Sequence, residues 1–271
     1  MPLHAFLPAA TLLALLPAMV AVWRRPPGAG PDLVFWATLM LAIAAPAVRV
    51  ASLGDGSWRT GFSFALWAAI AATAAAFALL TAVDRAAARL GPLVLPYLGV
   101  LAALALIWDH APEKPLRFGP SGWLWVHIAV AVATYALVGL AALAALAVVL
   151  QESALRWKRP TPLTRRLPAV TDGDRIAFRA LGAAAVVLGI GIVSGIGLDV
   201  ANTGRWFHID HKTVLTVSTL LVITVLLAAH ARWGIRGRRG ARVVLVAWLL
   251  LTLGYPGVKF VTDVLLGRGG A

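Results

Sequence analysis

Eight stretches of apolar, nearly uncharged residues follow one another along this 271-residue chain, at 3–23, 33–53, 61–83, 91–108, 122–150, 175–199, 210–230 and 242–265. Each reaches or approaches the ~20 residues with which an α-helix crosses ~30 Å of hydrocarbon. Backbone facing lipid cannot leave its N–H and C=O groups unpaired, so segments of this kind fold as helices. The expected fold is therefore all-α, a polytopic membrane bundle of eight transmembrane helices. Composition agrees: 61% of the residues are hydrophobic and only 13% charged, where a soluble domain carries roughly a quarter. Such a chain cannot cover itself with polar surface, and the lipid bilayer is its solvent. The spans fill the whole length, so residues 1–271 are read as a single membrane domain.

The formal net charge of +13 invites a nucleic-acid reading, and its distribution argues against one. Sixteen of the 24 Lys and Arg residues fall in four linkers: Arg24 and Arg25; Arg85 and Arg89; Arg156, Lys158, Arg159, Arg165, Arg166, Arg175 and Arg179; and Arg232, Arg236, Arg238, Arg239 and Arg242. Cytoplasmic loops collect basic residues because these resist translocation. With Arg24-Arg25 inside, alternation puts every basic linker in the cytoplasm and both the N-terminus and the C-terminus outside. The loops near 54–60, 109–121 and 200–209 then face outward. The first span lacks a basic start and a small-x-small cleavage site, so it is read as a retained helix rather than a signal peptide. The linker 151–174, with Pro160, Pro162 and Pro168, reads as a basic loop. The sequence has no Cys, which excludes disulfides, thiol redox chemistry and Cys-ligated metal.

Histidine is the remaining candidate ligand. On this topology His4, His110, His127, His208 and His211 lie at or near the outer face, and His230 alone lies at the cytoplasmic end of the seventh span. An ionisable residue one turn inside a span, as His127 is, marks a functional site by default. Imidazole is also the common axial ligand of haem iron. The competing reading is a histidine that only hydrogen-bonds a neighbouring helix. His208 and His211 flank Asp210 at i, i+3 spacing, which suits zinc with Asp210 as third ligand. It equally suits a solvated helix start with Asp210 near the positive dipole end. Gly189, Gly191, Gly195 and Gly197 follow no strand, so they are read as a close-packing helix face and not a nucleotide loop. Lys259 and Asp263, four apart in the last span, are read as a neutralising or snorkelling pair. No catalytic constellation is present.

Four blocks of the second half resemble the cytochrome c assembly family of CcsA/ResC-type haem-handling membrane proteins, and within it the short HemX- or YpjD-like branch. They are Val126-His127-Ile128 through Thr134-Tyr135-Ala136; Gly189 through Ser194-Gly195; Trp206-Phe207-His208-Ile209-Asp210-His211-Lys212; and His230 with Trp233-Gly234 and Arg236 to Arg239. They run in order over about 122–240, whereas residues 1–121 are alike in hydropathy only. The resemblance implies non-covalent haem b as cofactor, with His127 the external axial ligand to its iron. It also implies that His230 is the membrane-embedded histidine of the cytoplasmic side. Trp206, Asp210 and Lys212 are what remains of the family's tryptophan-rich haem segment, and the family's second external histidine aligns near Leu266. These departures argue against a complete haem ligase and leave His208 or His211 to supply a second ligand. The expectation is a haem-handling protein of the bacterial inner membrane, acting in cytochrome c maturation or haem homeostasis beside other assembly proteins. The alternative is a non-haem membrane scaffold or transporter-like subunit of the same fold.

Overall fold

The computed structural model of the chain describes residues 7–53, 59–60, 62–109, 114–115, 122–203 and 211–253, with the backbone alone at 59–60, 114–115, 201–203 and 211–212. It is a helical bundle, with seven helical segments long and apolar enough to span a membrane among the described residues. The first comprises α1 (Leu7–Leu13) and α2 (Leu16–Arg24), which breaks from α1 where Pro17 enters its first turn and cannot donate a helical hydrogen bond. Then come α3 (Leu33–Leu53), α4 (Phe62–Val83), a short 3-10 turn (Arg85–Leu90) leading into α5 (Gly91–Ile107), α6 (Gly122–Arg156), α7 (Val170–Thr203) and α8 (His211–Trp233). The expected eighth span is described as α9 (Gly237–Thr252); residues 254–271, with Lys259, Asp263 and Leu266, lie outside the described residues. A two-residue antiparallel pair, Arg59–Thr60 with Lys114–Pro115, joins the α3–α4 and α5–α6 connections.

α6 is the spine of the bundle. Leu140, Ala144 and Ala147 face a core built by α1 to α5 around Trp67, Phe77 and Leu98. The intervening Val138, Ala141, Ala145 and Val148 face a second core with Phe178, Leu181, Ile223 and Val244 of α7, α8 and α9. Its many alanines let helices approach on both sides. Of its apolar window 67% is buried, against 22% for those of α7 and α8, which therefore turn most of their apolar surface outward.

The two ends differ in charge, and contacts between linkers define each end. At the basic end Arg166 donates to the carbonyl of Arg25, Asp84 pairs with Arg175 at 3.0 Å and Arg179 at 3.6 Å, and Glu152 accepts from the backbone N–H of Arg238. All four basic linkers thus share one end. At the opposite end Arg49, 6% exposed, donates to both oxygens of Asp109 at 2.9 and 3.1 Å. Ser63 supports the pair from α4, donating to the Ala105 carbonyl and to Asp109. The fully engaged carboxylate offsets the burial of this guanidinium, although Arg49 Nε is buried without a hydrogen-bond partner among the described residues.

The linker 151–174 differs from the loop expected of it. α6 continues through Gln151-Glu152-Ser153-Ala154-Leu155-Arg156, and α7 begins at Val170, so only 157–169 is irregular. Those residues are good helix formers once the helix has started, and the loop is confined to the proline-bearing stretch. Gln151 pins the loop to α6 by donating to the carbonyls of Thr164, Leu167 and Pro168.

Candidate functional site

At the end opposite the basic linkers, the first turns of α6 lie against the last turns of α7. Glycines make the approach possible. A Cβ on Gly195 would stand 3.2 Å from His127 Cε1, one on Gly191 3.2 Å from Val130, and one on Gly197 3.3 Å from the Trp123 ring. Three of the four expected glycines therefore form the packing face; Gly189 does not, since a Cβ there meets nothing within 4 Å. The Gly191 and Gly195 pair, four apart, is the small-xxx-small pattern of close helix packing.

Ser194 sits between these glycines, 3% exposed. Its hydroxyl donates to the Gly191 carbonyl at 2.9 Å, its own carbonyl accepts from Trp123 Nε1 at 3.0 Å, and its Oγ lies 2.8 Å from His127 Nδ1. A hydroxyl has one proton. With that proton directed at Gly191, the Nδ1 of the half-buried His127 is the donor to Ser194. This hydrogen-bond network assigns the Nδ1–H tautomer and leaves Nε2 unprotonated, with a lone pair. Asp199, also on α7, is the carboxylate acting electrostatically on the ring. Trp123 and Trp125 stay about half exposed beside it, 50% and 48%, as interfacial aromatic residues do. The two sequence readings of His127 are thus compatible. One nitrogen bonds the neighbouring helix, and in this tautomer the other carries a lone pair.

Tyr135 leaves this site. It is buried two turns deeper, and its hydroxyl accepts from Tyr97 of α5 at 3.3 Å. His230 lies at the basic end. Its ring stacks on Phe178 of α7 with centroids 3.6 Å apart and planes at 16°, and its Nδ1 donates to the Ile235 carbonyl at 2.8 Å. The turn into α9 is completed by Asp174, which accepts from Gly237 N, and Glu152, which accepts from Arg238 N. Gly237 has φ +64, a left-handed conformation in which a side chain is strained, and the Glu152 carboxylate lies against it. His127 and His230 meet α7 at Ser194 and Phe178, sixteen residues or about 24 Å of helix apart. They cannot share a metal ion.

Trp206, His208 and Asp210 lie outside the described residues, as do His4 and His110, while His211 and Lys212 open α8 with only their backbone described. Among the described residues no three His, Asp or Glu side chains converge on a common point. In the sequence Ser194 is one residue of a glycine-rich block, and Asp199 belongs to no motif. The glycines on either side of Ser194 signalled a close approach without naming the helix approached.

Membrane-length helices and an imidazole packed between two of them near one end define a polytopic α-helical membrane protein. Residues 33–266 match the family described as "Cytochrome C assembly protein". The chain belongs to this family, and the match takes in most of the first half, where the sequence blocks were silent. It is 50% identical over 260 residues to an uncharacterized 28.8 kDa protein of the nifR3-like 5′ region of Azospirillum brasilense, covering 94% of this chain and 96% of that protein. It is also 27% identical over 150 residues to Protein HemX of Brevibacillus brevis, covering 54% of this chain and 55% of HemX. Family membership supports a role in cytochrome c maturation.

Proposed function

We propose that this chain handles haem in a bacterial inner membrane, binding non-covalent haem b at an outward-facing site with His127 as an axial ligand. The reading treats the chain as one membrane domain with both termini outside. The observation that carries it is the 2.8 Å contact between His127 Nδ1 and the Ser194 hydroxyl, which in the Nδ1–H tautomer leaves Nε2 unprotonated. Metal-ligating histidines characteristically donate their second ring N–H to such a partner, which fixes tautomer and orientation. The half-exposed Trp123 and Trp125 add apolar aromatic surface of the kind a porphyrin face needs. His208 or His211 would give a second ligand at the mouth of α8. Trp206 would border the macrocycle, and Asp210 and Lys212 would orient its polar edge, with Lys212 offering charge to a propionate. The bound iron would supply redox-active coordination, and the chain's part is to hold the cofactor and keep it from solvent. His230 belongs to a separate cytoplasmic-side position. Other assembly proteins of the same membrane are the expected partners.

The test is haem titration of the purified full-length protein in detergent. A saturable Soret band at one haem per chain supports the reading. A colourless protein that takes up no haem would favour a non-haem scaffold, in which the His127–Ser194 bond serves packing alone.

A further inference from the structure

At the basic end a small recess lies between the end of α2, the 3-10 turn before α5 and the α6–α7 loop. Its lining includes Val22, Arg25, Gly28, Arg89, Pro92 and Arg166, so three separate linkers each contribute a guanidinium. Two of the three are held in place. The Arg25 guanidinium sits 5.0 Å over the Phe35 ring and donates to the Ala29 carbonyl at 3.5 Å. That of Arg166 sits 5.4 Å over Trp23 and donates to the carbonyl of Arg25. Gly28, at φ +90, folds the connection over Arg89, so that a Cβ there would stand 3.4 Å from Arg89 Nη2.

The charge is only partly neutralised from within. Among the described residues one carboxylate pairs with these guanidinium groups: Asp32 Oδ1 lies 3.8 Å from Arg25 Nε, an ion pair beyond hydrogen-bond reach. Asp32 is already committed to the N–H of Phe35 as the cap of α3, at 2.8 Å. Arg25 Nε is buried with no hydrogen-bond acceptor. Guanidinium groups so converged repel one another, and a buried unsatisfied donor costs free energy. A tetrahedral oxyanion relieves both, and the planar fork of arginine matches phosphate oxygens.

We propose that this recess binds a phosphate group, presented by the headgroup of an anionic phospholipid. Its position selects the source. It opens where the apolar span Leu7–Arg24 ends, beside Trp23, which is 41% exposed. That is the depth at which lipid phosphates and interfacial tryptophans lie. Basic pockets between helices on the positively charged side are suited to such headgroups. Soluble phosphate has the same chemistry without that geometric reason to be there.

The experiment follows thermal unfolding of the full-length protein in neutral detergent while phosphatidylglycerol, phosphatidylcholine or inorganic phosphate is added separately. Phosphatidylglycerol should raise Tm by several degrees at concentrations where phosphatidylcholine has no effect. Arg89→Gln should weaken that response roughly fivefold, the amount expected for one basic side chain near an anionic surface. Arg89 is the arginine least tied into the fold, so this variant guards against a loss that reflects misfolding of an Arg166→Gln protein. Arg238→Gln with Arg239→Gln, at another part of the same end, should leave the response intact. An Arg89-dependent shift with inorganic phosphate alone would overturn the lipid as source. Equal shifts with both lipids, or an undiminished shift in Arg89→Gln, would overturn the site itself.

Discussion

A histidine serving as a ligand needs one nitrogen held and the other bare, and Ser194 does the holding for His127. The hydroxyl is oriented in turn by the Gly191 carbonyl, so the tautomer is set by backbone two links away. Ser194→Ala removes the acceptor while keeping a helix-forming residue. If His127 ligates haem iron, this variant should bind haem ~10- to 100-fold more weakly, the usual cost of losing an outer-shell partner. Ser194→Thr keeps the hydroxyl and should stay near wild type. Haem titration followed at the Soret band measures both, and unchanged affinity in Ser194→Ala would remove Ser194 from the site. None of this was legible from sequence, where Ser194 is one small residue in a glycine-rich block. Its meaning depends on which face of α7 meets α6, and that is decided by packing.

The helices themselves were legible because lipid imposes one requirement, a continuous apolar stretch of sufficient length, and hydropathy reports it directly. Their ends were less so. α6 and α7 extend through polar residues at the basic end, where helix continues without any hydropathy signal. The partner of Arg49 was hidden for a related reason. A charge inside a span announces that a counter-charge exists without saying that Asp109 of the α5 end provides it. The glycine face was read correctly as packing, although only the contacts separate its members. Gly195→Ala puts a methyl 3.2 Å from the His127 ring, whereas Gly189→Ala meets open space. Thermal unfolding in detergent should show a loss for Gly195→Ala. Gly189→Ala should be neutral or gain up to about 1 kcal/mol, since Ala is the better helix former. Equal effects from the two would mean that α6 and α7 do not approach along this face.

For the whole molecule, the four basic linkers share one end and the Arg49–Asp109 pair sits at the other. The positive-inside rule makes the first end cytoplasmic. A reporter fused after Arg166 should therefore read cytoplasmic and one fused after Ala271 external; the reverse at either position would overturn the orientation. This polarity separates the two described histidines. His127 lies against Ser194 at the end opposite the basic linkers and His230 against Phe178 at the basic end. The family was legible in the second half from its histidine, glycine and tryptophan blocks. In the first half hydropathy is the same for any bundle, and only the family match over residues 33–266 brings it in. The account rests most heavily on His127 as the haem ligand. Wild type and His127→Ala, purified at equal folded yield and supplied with the same haem, should be compared for Soret absorbance and haem stoichiometry. The account predicts that the variant loses the band or binds haem more weakly than Ser194→Ala does, beyond the ~10- to 100-fold usual for an outer-shell partner; a variant with the same band and the same stoichiometry as wild type would contradict it.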